Sequence, residues 1–285
     1  MAVSTTQRLL NDATSAGRGL GAFNVITLEH AEAVVGTAER LDAPVVLQIS
    51  QNAVMFHERR VQPLLAACTA VASAATVPVS LHLDHIEDES LLRDIEGTAV
   101  SSVMFDASRL EYADNLHATR SVASWAHERH LHLEAELGVV GGKDGAHAPG
   151  VRTDPKEAAD FVAATGVDSL AVAVGSSHAM NTRSAALDHA LIARIKSAVP
   201  VPLVLHGSSG VNDHGLRRAV LAGMVKINVG TGLNLAYTQA VRRRLEDETL
   251  VDPRKYLRDA RDAMSVVVEQ YLRALNGARA VDFGD

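Results

Sequence analysis

The chain has 285 residues and a formal net charge of -7 at pH 7, and 47% of its residues are hydrophobic, which is enough to bury a large core. The acidic balance and the lack of a basic block argue against nucleic acid as a partner, so an anionic substrate would need a local pocket. No apolar run is long enough to cross a bilayer, and residues 1–20 lack the apolar core of a signal peptide. We therefore expect no membrane partner and a cytoplasmic location.

Short apolar runs alternate with longer amphipathic stretches along the whole chain, as is typical of buried parallel strands covered by helices. Eight strands are predicted, at 19–25, 44–50, 81–85, 101–106, 131–137, 168–174, 203–206 and 225–229. The clearest helical stretches are 28–41, 61–75, 90–97 and 112–129, with 234–248 and 262–275 after the last strand. No strand is followed by a Gly-x-Gly-x-x-Gly motif. The pattern favours a single-domain (β/α)8 TIM barrel that spans residues 1–285 and ends in C-terminal helices. It argues against a dinucleotide-binding sheet.

Nearly every predicted strand ends in a polar side chain. Active sites of such barrels lie at the carboxyl ends of the strands, so we expect these side chains to meet at one rim. A single one of them would be interpreted as a turn or capping residue, and the prediction rests on their convergence. The set comprises Asn24, Ser50, Asp84, His85, Asp106, Glu134, Glu136, His178, His206 and Asn228.

Three histidines, His85, His178 and His206, stand at or just after the ends of three different strands. Neutral imidazole is a good zinc ligand, and three protein ligands with an open position describe a catalytic zinc site. Each histidine alone could equally be a hydrogen-bonded strand-end residue. The glycines and serines of 175–178 and 206–210 offer N–H groups and hydroxyls to a phosphate, although an ordinary tight turn has the same composition.

Seven blocks of the sequence together resemble the class II, zinc-dependent ketose-bisphosphate aldolases, and most closely the fructose/tagatose-bisphosphate branch. The blocks are LHLDH, SVMFDAS, EAELGVVGG, DSLAVAVGSSH, PLVLHGSSG, KINVGTGL and DPRKYL. The match runs in register from Gln7 to about Arg273. It implies a (β/α)8 barrel, assembled as a homodimer or homotetramer, that reversibly cleaves a ketose phosphate or bisphosphate to dihydroxyacetone phosphate and an aldehyde.

The resemblance also implies roles for individual residues. Asp84 would be the acid/base that moves the proton of the C4 hydroxyl. The zinc ligands would be His85, His178 and His206, with Asp106 and Glu136 at a second metal position. The substrate and phosphate contacts would be Asn24, Ser50, Ala179, Gly207, Ser208, Ser209, Asn228, Val229, Gly230, Thr231 and, for the distal phosphate, Arg254. The resemblance further implies a monovalent cation, Na+ or K+, near the phosphate.

Some positions depart from the family pattern. The stretch 138–150 has five glycines and is predicted to be a mobile lid, although an ordinary surface loop has a similar composition. In it, Asp144 replaces a glutamate that exchanges the C3 proton, so Asp144 is a predicted catalytic residue. A family glycine is replaced by Ala179, whose Cβ would crowd the phosphate. Arg183 is a candidate to substitute for a cation that the family has and this chain has lost. We therefore expect a substrate other than fructose 1,6-bisphosphate.

Three alternatives stay open at this point. Lys226, on the eighth strand, is the barrel's candidate for Schiff-base chemistry, which would leave the three histidines unexplained. A barrel hydrolase would use a metal to activate water, but the chain lacks the His-x-His pair common on the first strand of such enzymes. A non-catalytic subunit would keep the fold alone, and the presence of Asp84 and three candidate ligands argues against it.

Overall fold

Eight parallel strands close into a barrel in sequence order, with β8 paired to β1. This computed structural model describes residues 3–137, 152–176 and 183–276. The strands are β1 (Leu20–Asn24), β2 (Val45–Ser50), β3 (Val79–Ile86), β4 (Val100–Phe105), β5 (His132–Glu136), β6 (Ser169–Ala171), β7 (Leu203–Leu205) and β8 (Met224–Val229). The predicted (β/α)8 barrel is confirmed, although β6 is shorter than its apolar run.

Helices alternate with the strands around the barrel. They are α1 (Thr6–Ala16), α2 (Leu28–Arg40), α3 (Gln51–Phe56), α4 (Val61–Ala74), α5 (Tyr112–Glu128), α6 (Pro155–Thr165), α7 (His189–Ala198), α8 (Asp213–Ala222), α9 (Thr231–Arg244) and α10 (Pro253–Asn276). The predicted helix after β3 is a 3-10 helix, Glu89–Ile95, capped by Asp88. Within the described ranges, no helix combines the length and the apolar character needed to cross a membrane.

Helix α1 was not predicted, and it closes the amino-terminal end of the barrel. Its Leu9 and Leu10 are buried with Leu20 of β1, and its Thr6 hydroxyl lies 3.2 Å from the Ser80 hydroxyl of β3. Burial of this end leaves the carboxyl ends of the strands as the open face. The functional site is therefore expected at the opposite rim, where the predicted polar side chains stand.

Alternation along β3 explains how one strand serves both the core and the site. Leu81 and Leu83 belong to the large apolar core, which includes side chains of the surrounding helices. The intervening residues His82 and Asp84 make polar contacts with Lys226 and Asn228 of β8 inside the barrel. The period of two residues thus directs the polar side chains inward.

Candidate active site

A cavity of about 700 Å³ opens at the carboxyl ends of the strands. It is lined by most of the predicted site residues that the structure describes. These are Asn24, Ser50, Asp84, His85, Asp106, Glu136, His206, Gly207, Ser208, Ser209, Asn228, Gly230 and Thr231. The closed barrel therefore brings together side chains that are more than 200 residues apart in sequence, from Asn24 to Thr231.

His85 lies near the end of β3 in the left-handed region, with φ of 50°, a conformation uncommon outside glycine. Its Nδ1 donates a hydrogen bond to Asp106 Oδ2 at 2.7 Å. Burial would raise the pKa of Asp106, but hydrogen bonds from His85 and Ser108 outweigh burial and hold that pKa well below its ordinary value. Because an ionised carboxylate only accepts, Nδ1 carries a proton toward Asp106, and Nε2 is the ring nitrogen left to face the cavity.

His206 follows β7 and is fully buried. Its Nε2 donates a hydrogen bond to Glu134 Oε1 at 3.0 Å. Burial would raise the pKa of Glu134, but Lys226, His82 and His132 together outweigh burial and lower the pKa. Since Glu134 is ionised and can only accept, His206 carries its proton on Nε2 and a lone pair on Nδ1.

The other two ring nitrogens face each other, because His206 Nδ1 lies 2.9 Å from His85 Nε2. Such an arrangement is repulsive unless a cation or a shared proton lies between the rings. Burial would lower the pKa of His85, but Asp84, Asp106 and Glu136 outweigh it and raise the pKa to about 10. This point in the cavity therefore strongly favours positive charge.

Carboxylates complete two groups of possible metal ligands around the facing rings. Ligand atoms of Asp84, His85 and His206 all lie within 4.8 Å of one another, and so do those of His85, Asp106 and Glu136. Imidazole nitrogen and carboxylate oxygen are the ligands that Zn²⁺ accepts in catalytic sites. The donor set of this cavity thus fits a zinc ion, and Asp106 is also placed to orient the His85 ring.

Asp84 is almost fully buried beside His85 and is surrounded by amide groups. Its Oδ2 accepts hydrogen bonds from Asn24 Nδ2 at 3.4 Å and Gln48 Nε2 at 3.3 Å, and its Oδ1 accepts one from Asn228 Nδ2 at 3.3 Å. Burial raises the pKa of Asp84, although His85 partly opposes the shift. A buried carboxylate with a raised pKa is suited to taking up and returning a proton.

Two neighbouring loops, after β7 and β8, offer backbone N–H groups to an anion. Gly207 has φ of 66° and leads into the 3-10 turn Ser208–Gly210. Gly230 caps α9, and the N–H of Gly232 in its first turn donates to Ser209 Oγ at 3.0 Å. The 14-residue helix α9 directs its positive end toward this loop. Together the loops can hold a phosphate without a basic side chain.

Several predicted site residues do not face the cavity or cannot be placed. His178, Ala179, Asp144 and the predicted lid 138–150 lie outside the described residues. The Val229 side chain is fully buried in the apolar core and does not line the cavity, so Val229 could contribute only backbone groups. The Arg254 side chain is 85% exposed and paired to Asp252 Oδ2 at 2.8 Å, away from the cavity of its own chain.

Arg183 was a candidate to substitute for a cation that the family has in its pocket, but its contacts in the structure are with other groups. Its Nη2 lies 2.6 Å from Asp213 Oδ1, and its Nε donates to the Val211 carbonyl oxygen. The guanidinium also lies 5.5 Å from the centre of the Tyr271 ring. Arg183 does not line the cavity, and its charge is paired with Asp213.

The structure adds two residues that the sequence did not reveal, Gln48 behind the cavity wall and Arg109 in its lining. Gln48 donates hydrogen bonds to both Asn24 and Asp84, and the only signal was a polar residue two positions before the strand-end Ser50. Arg109 lines the cavity after β4, with Nη1 3.8 Å from Glu87 Oε1 at the rim. No motif or periodicity in the sequence marks Arg109 as a site residue.

Lys226 is not available for Schiff-base chemistry. It is fully buried below the cavity, and its Nζ lies 2.7 Å from Glu134 Oε2. An amine held against a carboxylate in a buried ion pair is a poor nucleophile. Lys226 also does not line the cavity, so the lysine alternative lacks its reacting group.

Comparison with known proteins agrees with this geometry. The model of the class-II fructose-bisphosphate aldolases matches residues 4–279. The YdjI aldolase from Escherichia coli K12 is 30% identical, with a TM-score of 0.83 over 96% of this chain and 97% of that chain. A fructose-bisphosphate aldolase from Campylobacter jejuni, 23% identical, shares the fold, with a TM-score of 0.80 over 96% of each chain. The chain therefore belongs to the class II fructose-bisphosphate aldolase family and is an aldolase, a carbon–carbon lyase.

Proposed function

We propose that this aldolase depends on Zn²⁺ and reversibly cleaves a ketose phosphate or bisphosphate to dihydroxyacetone phosphate and an aldehyde. The observation that carries the proposal is the 2.9 Å approach of His85 Nε2 to His206 Nδ1, two ring nitrogens that need a cation or a proton between them. A buried acid, Asp84, lies directly beside this pair. Family membership supports a sugar phosphate as the substrate.

His85 and His206 would hold the zinc ion, and His178 is the third ligand expected from the sequence. Bound zinc supplies a Lewis acid that stabilises the negative charge left on the substrate oxygens when the C3–C4 bond breaks. Asp106 orients the His85 ring through its 2.7 Å hydrogen bond, and together with Glu136 it offers oxygen ligands for a second metal position. These assignments are supported by the donor set and by the resemblance to the family.

Asp84 would transfer the proton of the reaction. In cleavage it takes the proton of the C4 hydroxyl, and in condensation it returns the proton to the aldehyde oxygen. Asn24, Gln48 and Asn228 hold its carboxylate in place through their amide groups. Asp144 is proposed, from the sequence alone, to exchange the C3 proton.

The phosphate of dihydroxyacetone phosphate would lie against the loops after β7 and β8. Gly207, Ser208 and Ser209 from one loop, and Gly230 and Thr231 from the other, line this part of the cavity. The cation among the described lining residues is Arg109, which follows β4 on the opposite side of the closed barrel from β8. A monovalent cation, Na+ or K+, would balance the phosphate charge in the proposal.

We also propose that the protein is cytoplasmic and that residues 1–285 form one domain. We propose further that it assembles as a homodimer or homotetramer. The support for assembly is the family resemblance together with the position of Arg254. Its exposed side chain does not line the cavity of its own chain, so contact with a distal phosphate would have to be made in a neighbouring subunit.

Release of dihydroxyacetone phosphate from a panel of substrates tests the proposed function. The zinc-loaded protein is incubated with fructose 1,6-bisphosphate, tagatose 1,6-bisphosphate and ketose monophosphates, and the product is detected through its reduction by NADH with glycerol-3-phosphate dehydrogenase. We expect release from at least one ketose phosphate, with fructose 1,6-bisphosphate not the best substrate, because of Ala179 and Asp144. Efficient cleavage of fructose 1,6-bisphosphate alone would refute the altered specificity. Phosphate ester hydrolysis with no triose phosphate would refute the aldol reaction.

A further inference from the structure

Below the cavity, the barrel interior contains a buried group of charged and polar side chains. Lys226 of β8 lies with its Nζ 2.7 Å from Glu134 Oε2 of β5 and 3.3 Å from His82 Nε2 of β3. His82 Nδ1 in turn lies 2.7 Å from the Ser102 hydroxyl. All four side chains are buried, with at most 1% exposed. Burying an ion pair carries a large desolvation cost, so the pair is weak as a stabilising device.

The two oxygens of the Glu134 carboxylate face different partners. Lys226 occupies Oε2, and Oε1 accepts the hydrogen bond from His206 Nε2 at 3.0 Å. Lys226 therefore fixes the carboxylate, and the carboxylate fixes the imidazole ring. Neither Glu134 nor Lys226 lines the cavity, so their effect on the site passes through His206.

A second group competes with Glu134 for the same ring nitrogen of His206. Asn228 Nδ2 lies 3.1 Å from the same His206 Nε2. An amide N–H donor favours the ring tautomer with a lone pair on Nε2, and that tautomer would place a proton on Nδ1, toward His85. The carboxylate favours the opposite tautomer because it can only accept. The contact of Glu134 with Nε2, at 3.0 Å and fixed from behind by Lys226, thus opposes the Asn228 amide and leaves Nδ1 to face the cavity with a lone pair.

We propose that Glu134 and Lys226 are positioning residues that hold His206 in the tautomer able to bind zinc through Nδ1. The inference rests on the proposed function in one respect, that His206 is a zinc ligand. It adds that the ion pair serves metal binding more than folding. Groups behind a metal ligand commonly act in this way, and their loss weakens metal binding by about 10- to 100-fold.

Zinc affinity and stability, both measured on metal-free protein, test the proposal. Glu134→Gln keeps the shape of the side chain, removes its charge and leaves Lys226 unpaired. Glu134→Gln/Lys226→Met removes both charges. Zinc dissociation constants are obtained by competition with a chromophoric chelator, and stability is obtained from the midpoint of urea unfolding. His132→Gln is the matched control, because His132 is also buried in β5 but bonds to Gln7 and Ser169.

We expect Glu134→Gln to bind zinc about 10- to 100-fold more weakly and to unfold at lower urea concentration. The double variant should regain the wild-type midpoint while its zinc affinity stays low, because the unpaired charge is gone but Asn228 still selects the wrong tautomer. His132→Gln should keep the wild-type zinc affinity, whether or not its urea unfolding midpoint changes.

Zinc affinity that recovers together with stability in the double variant would overturn the inference, since the pair would then be structural only. Unchanged zinc affinity in Glu134→Gln, or an equal loss in His132→Gln, would also overturn it. These outcomes leave the proposed function intact. A wild-type protein that binds no zinc would overturn both.

Discussion

Asp84→Asn is expected to lower kcat for cleavage by about 10²- to 10⁴-fold, the range for loss of a positioned general base. Asparagine has nearly the same shape, so the side chain still fits among Asn24, Gln48 and Asn228, but it cannot take up the C4 hydroxyl proton. The facing rings of His85 and His206 are unchanged, and zinc content should stay at the wild-type level. The measurements are the rate of dihydroxyacetone phosphate release and metal analysis of the same sample.

Asp88→Asn is the matched control for this variant. Asp88 lies four positions further along the chain, at the exposed end of the same segment, and pairs with Arg59 at 2.7 Å without lining the cavity. The same chemical change there should leave kcat unaltered. Retention of most of the wild-type kcat by zinc-loaded Asp84→Asn would show that another group moves the proton.

His85→Gly is expected to weaken zinc binding by at least about 100-fold and to remove nearly all activity. Loss of a group that only supports a metal ligand already weakens binding by up to about 100-fold, and loss of the ligand itself should cost more. Glycine adopts the left-handed backbone of this position, where φ is 50°, without strain, so the barrel should fold normally. The variant leaves an imidazole-sized space open to the cavity. Added imidazole should therefore restore part of the zinc binding and part of the dihydroxyacetone phosphate release, and both are measured over an imidazole titration.

His130→Gly is the matched control, because it also removes an imidazole from a residue whose backbone is in the left-handed region. His130 has φ of 57°, is exposed, and lies before β5, at the end of the barrel away from the cavity. It should bind zinc and cleave substrate as the wild type does, with no response to imidazole. If His85→Gly kept full zinc content and activity, His85 would not be a ligand.

The strands and the rim could be predicted from sequence because both follow from local patterns. An apolar run such as 203–206 signals a buried strand, and the rule that strand ends form the site then brings Asp84, His85 and His206 together without knowledge of the packing. Helices α1 and α3 were missed. Helix α3 has only six residues, QNAVMF, and starts directly after β2, which is too short for a helical period to appear.

The roles of polar residues inside strands could not be predicted, because they depend on which side chains meet across the barrel. From sequence, Lys226 was a candidate for Schiff-base chemistry that could equally be structural, and Glu134 was a strand-end acid like Glu136. Their 2.7 Å ion pair joins β5 to β8, which are not neighbours in the sheet. Similarly, the hydrogen bond from Gln48 to Asp84 depends on the register between β2 and β3.

The central claim is that imidazole groups from β3 and the end of β7 share one zinc ion at the mouth of the barrel. Metal analysis of the wild-type protein, combined with activity before and after treatment with a chelator, tests it most directly. We predict one zinc ion per chain, loss of dihydroxyacetone phosphate release when zinc is removed, and recovery when zinc is returned. A metal-free protein that cleaves its ketose phosphate at the full rate would contradict the claim.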